Sequence, residues 1–171
     1  LCELASKNGI KHHRGSVEDK LERWSGAAKQ YNVEFFVTAD GDDLFCDPEL
    51  IDLAFEQYAN NKCDFIKAEG VICGSFTYGI KTTALHEVCE IKDTDNTEMM
   101  WVYFTDTGLF DVEDLQNIPK DFLRTDIRMT LDYLDDFIFF ARVIESFDTE
   151  DFSVRDVIQL IDQKPEIKEI N

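Results

Sequence analysis

Residues 33–43 join a short apolar segment to a group of acids, in the order Val33-Glu34-Phe35-Phe36-Val37-Thr38-Ala39-Asp40-Gly41-Asp42-Asp43. The mostly apolar part predicts a buried β-strand, of the kind found in a parallel sheet covered on both faces. The acidic part contains a glycine and predicts a loop at the end of that strand. A strand that delivers carboxylates into a loop is typical of layered α/β domains, in which ligands bind at the carboxyl ends of strands.

Helical and strand patterns alternate on both sides of this stretch. The spacing of Ser16 and Asp19 predicts the start of a helix that runs to about Tyr31. Asp47 followed by Pro48 predicts another helix start after the acidic loop. Further strands are predicted over residues 63–66 and 127–131, and further helices over residues 82–91, 97–104, 134–146 and from Ser153 onwards. This alternation predicts an α/β fold with a mainly parallel sheet.

The bulk composition bounds the size and the class of the protein. With 171 residues, of which 44% are apolar, the chain can form one compact α/β domain over residues 1–150. Residues 151–171 are predicted to add a C-terminal helix and tail. No apolar run is long enough to span a bilayer, and residues 1–30 show neither a basic start nor an apolar secretory core. We therefore expect a cytoplasmic protein that does not bind membranes.

The formal charge of -19 argues against partners that need a basic surface. Nucleic acids and anionic membranes are therefore not expected as ligands. A nucleotide would also be repelled unless a divalent cation bridged carboxylates to its phosphates, so a nucleotide enzyme of this charge would depend on metal. The five cysteines are odd in number and include no Cys-x-x-Cys pair, which indicates reduced thiols rather than disulfides or a zinc site.

Two groups of aspartates follow predicted strands. They are Asp40, Asp42 and Asp43 after the first strand, and Asp132, Asp135 and Asp136 after the strand over residues 127–131. Carboxylate oxygens suit magnesium, and one magnesium ion needs only one or two of them beside phosphate oxygens and water. Each group by itself is explained better by local structure than by a metal site, the first as a turn and the second as a helix start. Their expected location at the same edge of one sheet favours a magnesium site.

Motifs in a fixed order over nearly the whole chain resemble those of one enzyme family. Its motif R-G-S-x-x-D-x-L-x-R is matched by Arg14-Gly15-Ser16, Asp19 and Leu21-Glu22-Arg23, and its motif G-D-x-P-L-x-D-P-E-L-I by Gly41-Asp42 and Asp47-Pro48-Glu49-Leu50-Ile51. Its motif R-L-T-L-D-x-x-E-D is matched by Arg128-Met129-Thr130-Leu131-Asp132 and Asp135-Asp136, and an ending P-E-I-x-x-I-N by Pro165 to Asn171. The chain thus resembles cytidylyltransferases related to spore coat polysaccharide protein F and to 3-deoxy-manno-octulosonate or acylneuraminate cytidylyltransferases.

The resemblance implies a three-layer nucleotide-binding sandwich of the nucleotide-diphospho-sugar transferase type. It implies that a hydroxyl of a sugar or sugar acid attacks the α-phosphorus of CTP and releases pyrophosphate, for surface polysaccharide or glycan biosynthesis. By the same resemblance, Asp42 and Asp132 are catalytic residues that bind Mg²⁺, with Asp40 as an auxiliary ligand. The candidate substrate-binding residues are Gly41, Gly79, Glu98, Arg14 and Arg128. Relatives are often dimers, so the resemblance also allows a homodimer.

The chain departs from the family pattern in its first residues. Family members begin with a strand and a loop of the form A-R-x-x-S-x-R-L-P-G-K, which holds the triphosphate. Leu1 to Gly9 of this chain already matches a later helix of the family, the one that ends its second strand-and-helix repeat. We therefore expect a family domain truncated at its N-terminus, either a fragment of an enzyme or a chain that has lost catalysis. Thr38, Leu44 and Met99 stand where the family often has Arg, Pro and His, which leaves recognition of the base and the sugar open.

Two other functions are compatible with these residues. Asp40-Gly41-Asp42 is also the D-x-D pattern with which nucleotide-sugar glycosyltransferases hold a cation against a diphosphate. A non-catalytic binding or assembly module is the third alternative, and the lack of a phosphate loop in this sequence favours it. The motif from Arg128 to Asp136 and the helix start at Asp47-Pro48 favour the cytidylyltransferase.

Overall fold

The strand before the acidic loop, β1, is short and consists of Phe35–Val37. The computed structural model describes residues 1–149 and 151–171. The other strands are β2 (Phe65–Lys67), β3 (Gly79–Lys81) and β4 (Val112–Asp114), in a sheet of order β1-β3-β2-β4. Strands β2 and β3 run antiparallel, with Phe65 opposite Ile80. The predicted α/β class is confirmed, although this pair departs from a parallel arrangement.

Helices and strands alternate only in part, because β2 and β3 follow each other directly and several helices adjoin. In chain order the helices are α1 (Cys2–Lys7), α2 (Lys20–Tyr31), α3 (Pro48–Asn60), α4 (Thr82–Ile91), α5 (Val102–Thr105), α6 (Leu134–Glu145), α7 (Val154–Gln163) and α8 (Pro165–Lys168), with a 3₁₀ turn at Lys120–Phe122. The helix predicted over residues 97–104 is reduced to the short α5. Within the described residues, none of these helices combines the length and the apolar composition needed to cross a membrane. All five cysteines are free thiols.

The residue that caps the start of α2 is Asp19 rather than Ser16. Asp19 is the N-cap, because its carboxylate accepts a hydrogen bond from the backbone N–H of Glu22 at 3.1 Å. Ser16 lies before the helix, where its hydroxyl accepts a hydrogen bond from the Asp19 N–H at 3.0 Å. Both residues satisfy the spacing of a capping motif, so the sequence alone could not choose between them.

The other two predicted helix starts are confirmed. The Asp47 carboxylate accepts a hydrogen bond from the N–H of Glu49 at 2.8 Å, and Pro48 is the first residue of α3. Ser153 and Asp156 form a reciprocal capping box at the start of α7. These contacts satisfy N–H groups that have no partner within a helix.

The predicted strand over residues 127–131 is wrong as a strand. The segment is extended, but it forms a parallel bridge to Cys73 rather than a ladder. The Met129 N–H donates to the Cys73 carbonyl at 2.7 Å. Two residues later the Leu131 N–H donates to the Asp42 carbonyl at 3.0 Å, so the end of the segment is hydrogen-bonded to the acidic loop instead of to Cys73.

The chain forms two compact units. The first unit comprises Leu1–Phe36, Tyr58–Ile66 and Gly79–Glu113, and the second comprises Val37–Gln57, Lys67–Tyr78 and Asp114–Asn171. Fully buried side chains of the first unit include those of Leu21, Phe65, Leu85 and Val88. Those of the second unit include Leu50, Ile72, Phe122, Met129, Phe139 and Val157.

The C-terminal helix and tail belong to the second unit. The predicted boundary after residue 150 falls at Glu150, which lies outside the described residues, so that division of the chain stays a prediction. On the described side of it, Val157 and Ile161 of α7 and Ile167 of α8 are buried.

Candidate functional site

The acidic loop after β1 is held by hydrogen bonds within the second unit. The Thr38 N–H donates to the Tyr78 carbonyl at 2.8 Å, and the Tyr78 N–H donates to the Thr38 hydroxyl at 3.2 Å. The Asp43 N–H donates to the Asp40 carbonyl at 3.1 Å and closes a turn that contains Gly41. A Cβ atom at Gly41 would meet nothing within 4 Å, so this glycine lies in open space.

The turn gathers the carboxylates of Asp40, Asp42 and Asp43. One oxygen of each lies within 4.8 Å of the others. Burial is the main cause that raises the pKa of Asp43, and the charges of Asp42 and Asp40 raise it further, whereas a hydrogen bond with Thr130 lowers it. Three adjacent carboxylates repel one another unless a cation lies between them. The all-oxygen donor set therefore fits a hard divalent cation such as Mg²⁺ or Mn²⁺.

Asp132 is connected to this cluster through the backbone. The preceding residue, Leu131, donates its N–H to the Asp42 carbonyl at 3.0 Å. Burial and the charges of Asp42 and Asp40 raise the pKa of Asp43, and the charge of Asp132 adds a smaller increase. The Asp132 carboxylate itself accepts a hydrogen bond from the Arg128 guanidinium. A backbone hydrogen bond therefore connects the two predicted aspartate groups, and Asp132 of the second group is paired with an arginine.

A buried carboxylate, that of Asp136, organises the backbone around Asp132. Asp136 is 2% exposed and accepts hydrogen bonds from the N–H groups of Asp132 and Tyr133, both at 2.9 Å. It also accepts hydrogen bonds from Arg128 Nε at 3.2 Å and from the Asn171 side-chain amide at 2.9 Å. Burial by itself would raise the pKa of Asp136, but these donors hold it well below its usual range. Arg128 is therefore shared between Asp132 and Asp136.

Gly74 lies beside both the acidic loop and the segment 127–131. Its φ is 87°, in the left-handed region that favours glycine. A Cβ atom here would lie 2.1 Å from the Met129 carbonyl oxygen and 3.1 Å from an Asp43 carboxylate oxygen. Glycine is thus required at this position by both the backbone conformation and the space.

Gly79 is buried at the start of β3, in the first unit. A Cβ atom at this position would lie 2.7 Å from the Phe35 ring and 3.2 Å from Ile66 Cβ. Close packing in the sheet therefore explains the glycine without a ligand. Its predicted role in a sugar pocket stays a prediction.

The structure brings some of the predicted site residues together. Asp40, Gly41, Asp42, Arg128 and Asp132 all lie in the second unit, whereas Arg14, Gly79 and Glu98 lie in the first. Arg14 and Glu98 are both exposed, and Arg14 lines a surface cavity together with His13 and Arg23.

The sequence assigned no site role to two residues that contact this site, Thr130 and Asn171. Both belong to motifs that the sequence contains, but a motif shows only that a residue recurs and does not show which atoms it contacts. Asp43 and Asp136 were expected as members of the two aspartate groups, but their hydrogen bonds to Thr130 and to Asn171 were not.

Known proteins of similar sequence were found for nearly the whole chain. No family model matches the chain. It is 29% identical over 174 residues to an uncharacterized protein of Methanocaldococcus jannaschii, with 100% of this chain and 71% of that protein covered. It is 22% identical over 164 residues to the spore coat polysaccharide biosynthesis protein SpsF of Bacillus subtilis, with 94% of this chain and 68% of that protein covered.

The structure is similar to that of a cytidylyltransferase from Leptospira borgpetersenii serovar Hardjo-bovis. The TM-score is 0.83 at 25% sequence identity, and the match covers 96% of this chain and 71% of that chain. The fold is therefore that of an α/β nucleotidyltransferase. Within that class, the resemblance to the cytidylyltransferase family indicated by the motifs is confirmed by this structure and by the Bacillus subtilis relative.

Proposed function

We propose that the protein transfers CMP from CTP to a hydroxyl group of a sugar or sugar acid and releases pyrophosphate. The observation that carries the proposal is the carboxylate cluster of Asp40, Asp42 and Asp43, joined to Asp132 in a fold that resembles a cytidylyltransferase. The name of the Bacillus subtilis relative supports polysaccharide biosynthesis as the purpose of the reaction. We place the reaction in the cytoplasm.

Asp42 and Asp132 are the residues that would hold Mg²⁺, with Asp40 as an additional ligand. When bound, Mg²⁺ would offset negative charge on the α-phosphate and on the departing pyrophosphate. The formal charge of -19 supports this requirement, because CTP would otherwise approach a strongly acidic protein. The half-buried Asp43, bonded to Thr130, supports the loop that carries the ligands.

The transfer needs alignment and charge compensation more than a covalent protein nucleophile. The acceptor hydroxyl oxygen forms a bond to the α-phosphorus while the bond from that phosphorus to the pyrophosphate oxygen breaks, and the hydroxyl proton passes to solvent. The loop backbone at Gly41 and the side chains of Arg14 and Arg128 are the candidates for binding phosphate or carboxylate groups. Gly79 and Glu98 are the candidates for the sugar pocket.

Pyrophosphate release provides the direct test. The full-length protein would be incubated with CTP, Mg²⁺ and a panel of sugars and sugar acids. We expect pyrophosphate to form with at least one acceptor, and we expect Asp132→Asn to reduce the rate by about 100-fold or more, the usual loss for a group that stabilises transition-state charge. Asp135→Asn removes the same charge from an exposed neighbour and should retain activity. Equal activity of the two variants would exclude Asp132 from the site.

A D-x-D glycosyltransferase is the alternative that one observation favours. Asp40 and Asp42 are both members of the carboxylate cluster, as that pattern requires. Such an enzyme would release UDP from a UDP-sugar rather than pyrophosphate from CTP. Parallel assays with both donors separate the two activities, and UDP release without pyrophosphate release would replace the proposed function by this one.

A further inference from the structure

The C-terminal tail is fixed against the second unit by successive contacts. Ile167 of α8 is 3% exposed. The next residue, Lys168, pairs with Asp126 at 2.8 Å. These contacts place Asn171 within hydrogen-bond distance of Asp136, at 2.9 Å.

The Asn171 side-chain amide donates hydrogen bonds to one residue before Asp132 in the sequence and to one residue after it. It donates to Asp136 Oδ1 at 2.9 Å and to the Arg128 carbonyl at 3.3 Å. Arg128 precedes Asp132 by four residues, and Asp136 follows it by four. Asn171 is itself exposed, so hydrogen bonding rather than burial explains its contacts.

Both carboxylate oxygens of Asp136 are engaged. Oδ1 accepts hydrogen bonds from Asn171 and from Arg128 Nε, and Oδ2 accepts hydrogen bonds from the N–H groups of Asp132 and Tyr133. Every one of these partners is a donor. An asparagine in place of Asp136 would turn an NH₂ group toward donors in either orientation, so the ionised carboxylate is required.

We propose that Asp136 and Asn171 are positioning residues that fix the backbone at Asp132 and the guanidinium of Arg128. They thereby set the location of the Asp132 carboxylate before any cation arrives. The link to metal binding rests on the proposed function, whereas the fixation of the Asp132 backbone does not. Groups that hydrogen-bond to metal ligands commonly affect metal affinity about 10- to 100-fold.

The test uses the full chain and two measurements. The first is hydrogen exchange of the Asp132 and Tyr133 backbone amides by NMR without metal. The second is calorimetric titration with Mn²⁺ in the presence of CTP. We expect Asp136→Asn to speed exchange of both amides by about tenfold or more, as the loss of hydrogen bonds to a charged group implies. We expect it to weaken Mn²⁺ binding by about tenfold or more.

Substitutions of Asn171 keep the proposal testable should Asp136→Asn fail to fold. Asn171→Ala should produce both effects more weakly, and Asn171→Asp should exceed it because a second carboxylate then faces Asp136. A role in packing alone would make these two variants equal. Matched controls are Asp135→Asn on the same helix turn and the exposed Glu169→Ala in the tail, neither of which should change exchange or affinity.

Three results would overturn parts of the account in distinguishable ways. Unchanged exchange in Asn171→Ala and Asn171→Asp overturns the positioning role itself. Faster exchange with unchanged Mn²⁺ affinity overturns its link to the Asp132 carboxylate. Absence of Mn²⁺ binding by the unaltered chain contradicts the proposed function, while the exchange rates still decide whether Asp136 and Asn171 fix the backbone.

Discussion

At the scale of single residues, two glycines near the acidic loop have opposite surroundings. Gly41 was predicted from its motif and lies in open space, whereas Gly74 was not predicted and is enclosed by the Met129 carbonyl and the Asp43 carboxylate. A sequence gives the residue type but not the distance to a distant carbonyl. For that reason the acids of the loop were identifiable, and the glycine that lets the extended segment approach them was not.

Substitution of these two glycines tests the close approach. We expect Gly74→Ala to lower the free energy of unfolding by about 3 kcal/mol or more, because a methyl group would clash with backbone at a positive φ. Gly41→Ala, the matched control, should change it by about 0.5 kcal/mol or less. Urea denaturation followed by circular dichroism measures both values. Equal changes in the free energy of unfolding at the two positions would contradict the close contact of Gly74 with the Met129 carbonyl.

The buried Asp19 predicts a pH dependence of stability. Burial opposes its ionisation, but the ammonium of Lys92 at 2.7 Å, the Glu22 N–H and the Thr97 hydroxyl hold the pKa of Asp19 below its ordinary value of 3.8. A lowered pKa in the folded state means that the stabilisation is present above pH 3.8 and is lost as the pH falls through the folded-state pKa.

We therefore expect Asp19→Asn to lower the free energy of unfolding at pH 7 by roughly 2–4 kcal/mol, since it leaves Lys92 without a buried partner. The difference from the unaltered protein should shrink as the pH falls below 3.8. Asp95→Asn is the control, because Asp95 also lies 2.7 Å from Lys92 but its side chain is 91% exposed, and it should cost less than about 1 kcal/mol. Denaturation at several pH values measures both, and a pH-independent loss in Asp19→Asn would contradict the ion-pair explanation.

At the scale of elements, the sequence predicts helices better than strands. The helix starts at Asp47-Pro48 and Ser153 are confirmed because the capping contacts involve residues only two or three positions apart. Strands depend on distant partners. The apolar alternation of residues 127–131 is present, with Ile127 and Met129 buried, yet the segment pairs with Cys73 and then with the acidic loop instead of extending a sheet.

The extended segment contributes to the site through Thr130. Burial raises the pKa of Asp43, and the hydrogen bond between its carboxylate and the Thr130 hydroxyl lowers it. Thr130→Val keeps the shape but removes this bond, so we expect the free energy of unfolding at neutral pH to fall by about 1–3 kcal/mol, the usual cost of losing a hydrogen bond to a charged group. Thr125→Val, at an exposed position two residues before this segment, is the control. Equal stability of the two variants in urea denaturation would remove Thr130 from the site.

At the scale of the whole molecule, composition and alternation were sufficient to predict the α/β class. The motif order was sufficient to predict the resemblance to cytidylyltransferases that the solved structure confirms. Strand directions were not predictable, because a short apolar strand such as Phe65–Lys67 has the same pattern in parallel and antiparallel pairs. The contact of the tail with Asp136 was also hidden, since it joins residues 35 positions apart.

The central claim also concerns the whole molecule, because we propose that a cation held by the acidic cluster lets a chain of formal charge -19 bind CTP. Calorimetric titration with CTP tests this most directly, with Mg²⁺ or with a chelator. We expect binding in Mg²⁺ and none in the chelator, with Asp42→Asn weaker by about tenfold or more and Asp52→Asn, an exposed acid of α3, unchanged. Absence of heat in Mg²⁺ from a chain that remains folded by circular dichroism would favour a non-catalytic module, and binding that is equal in the chelator would contradict the metal site.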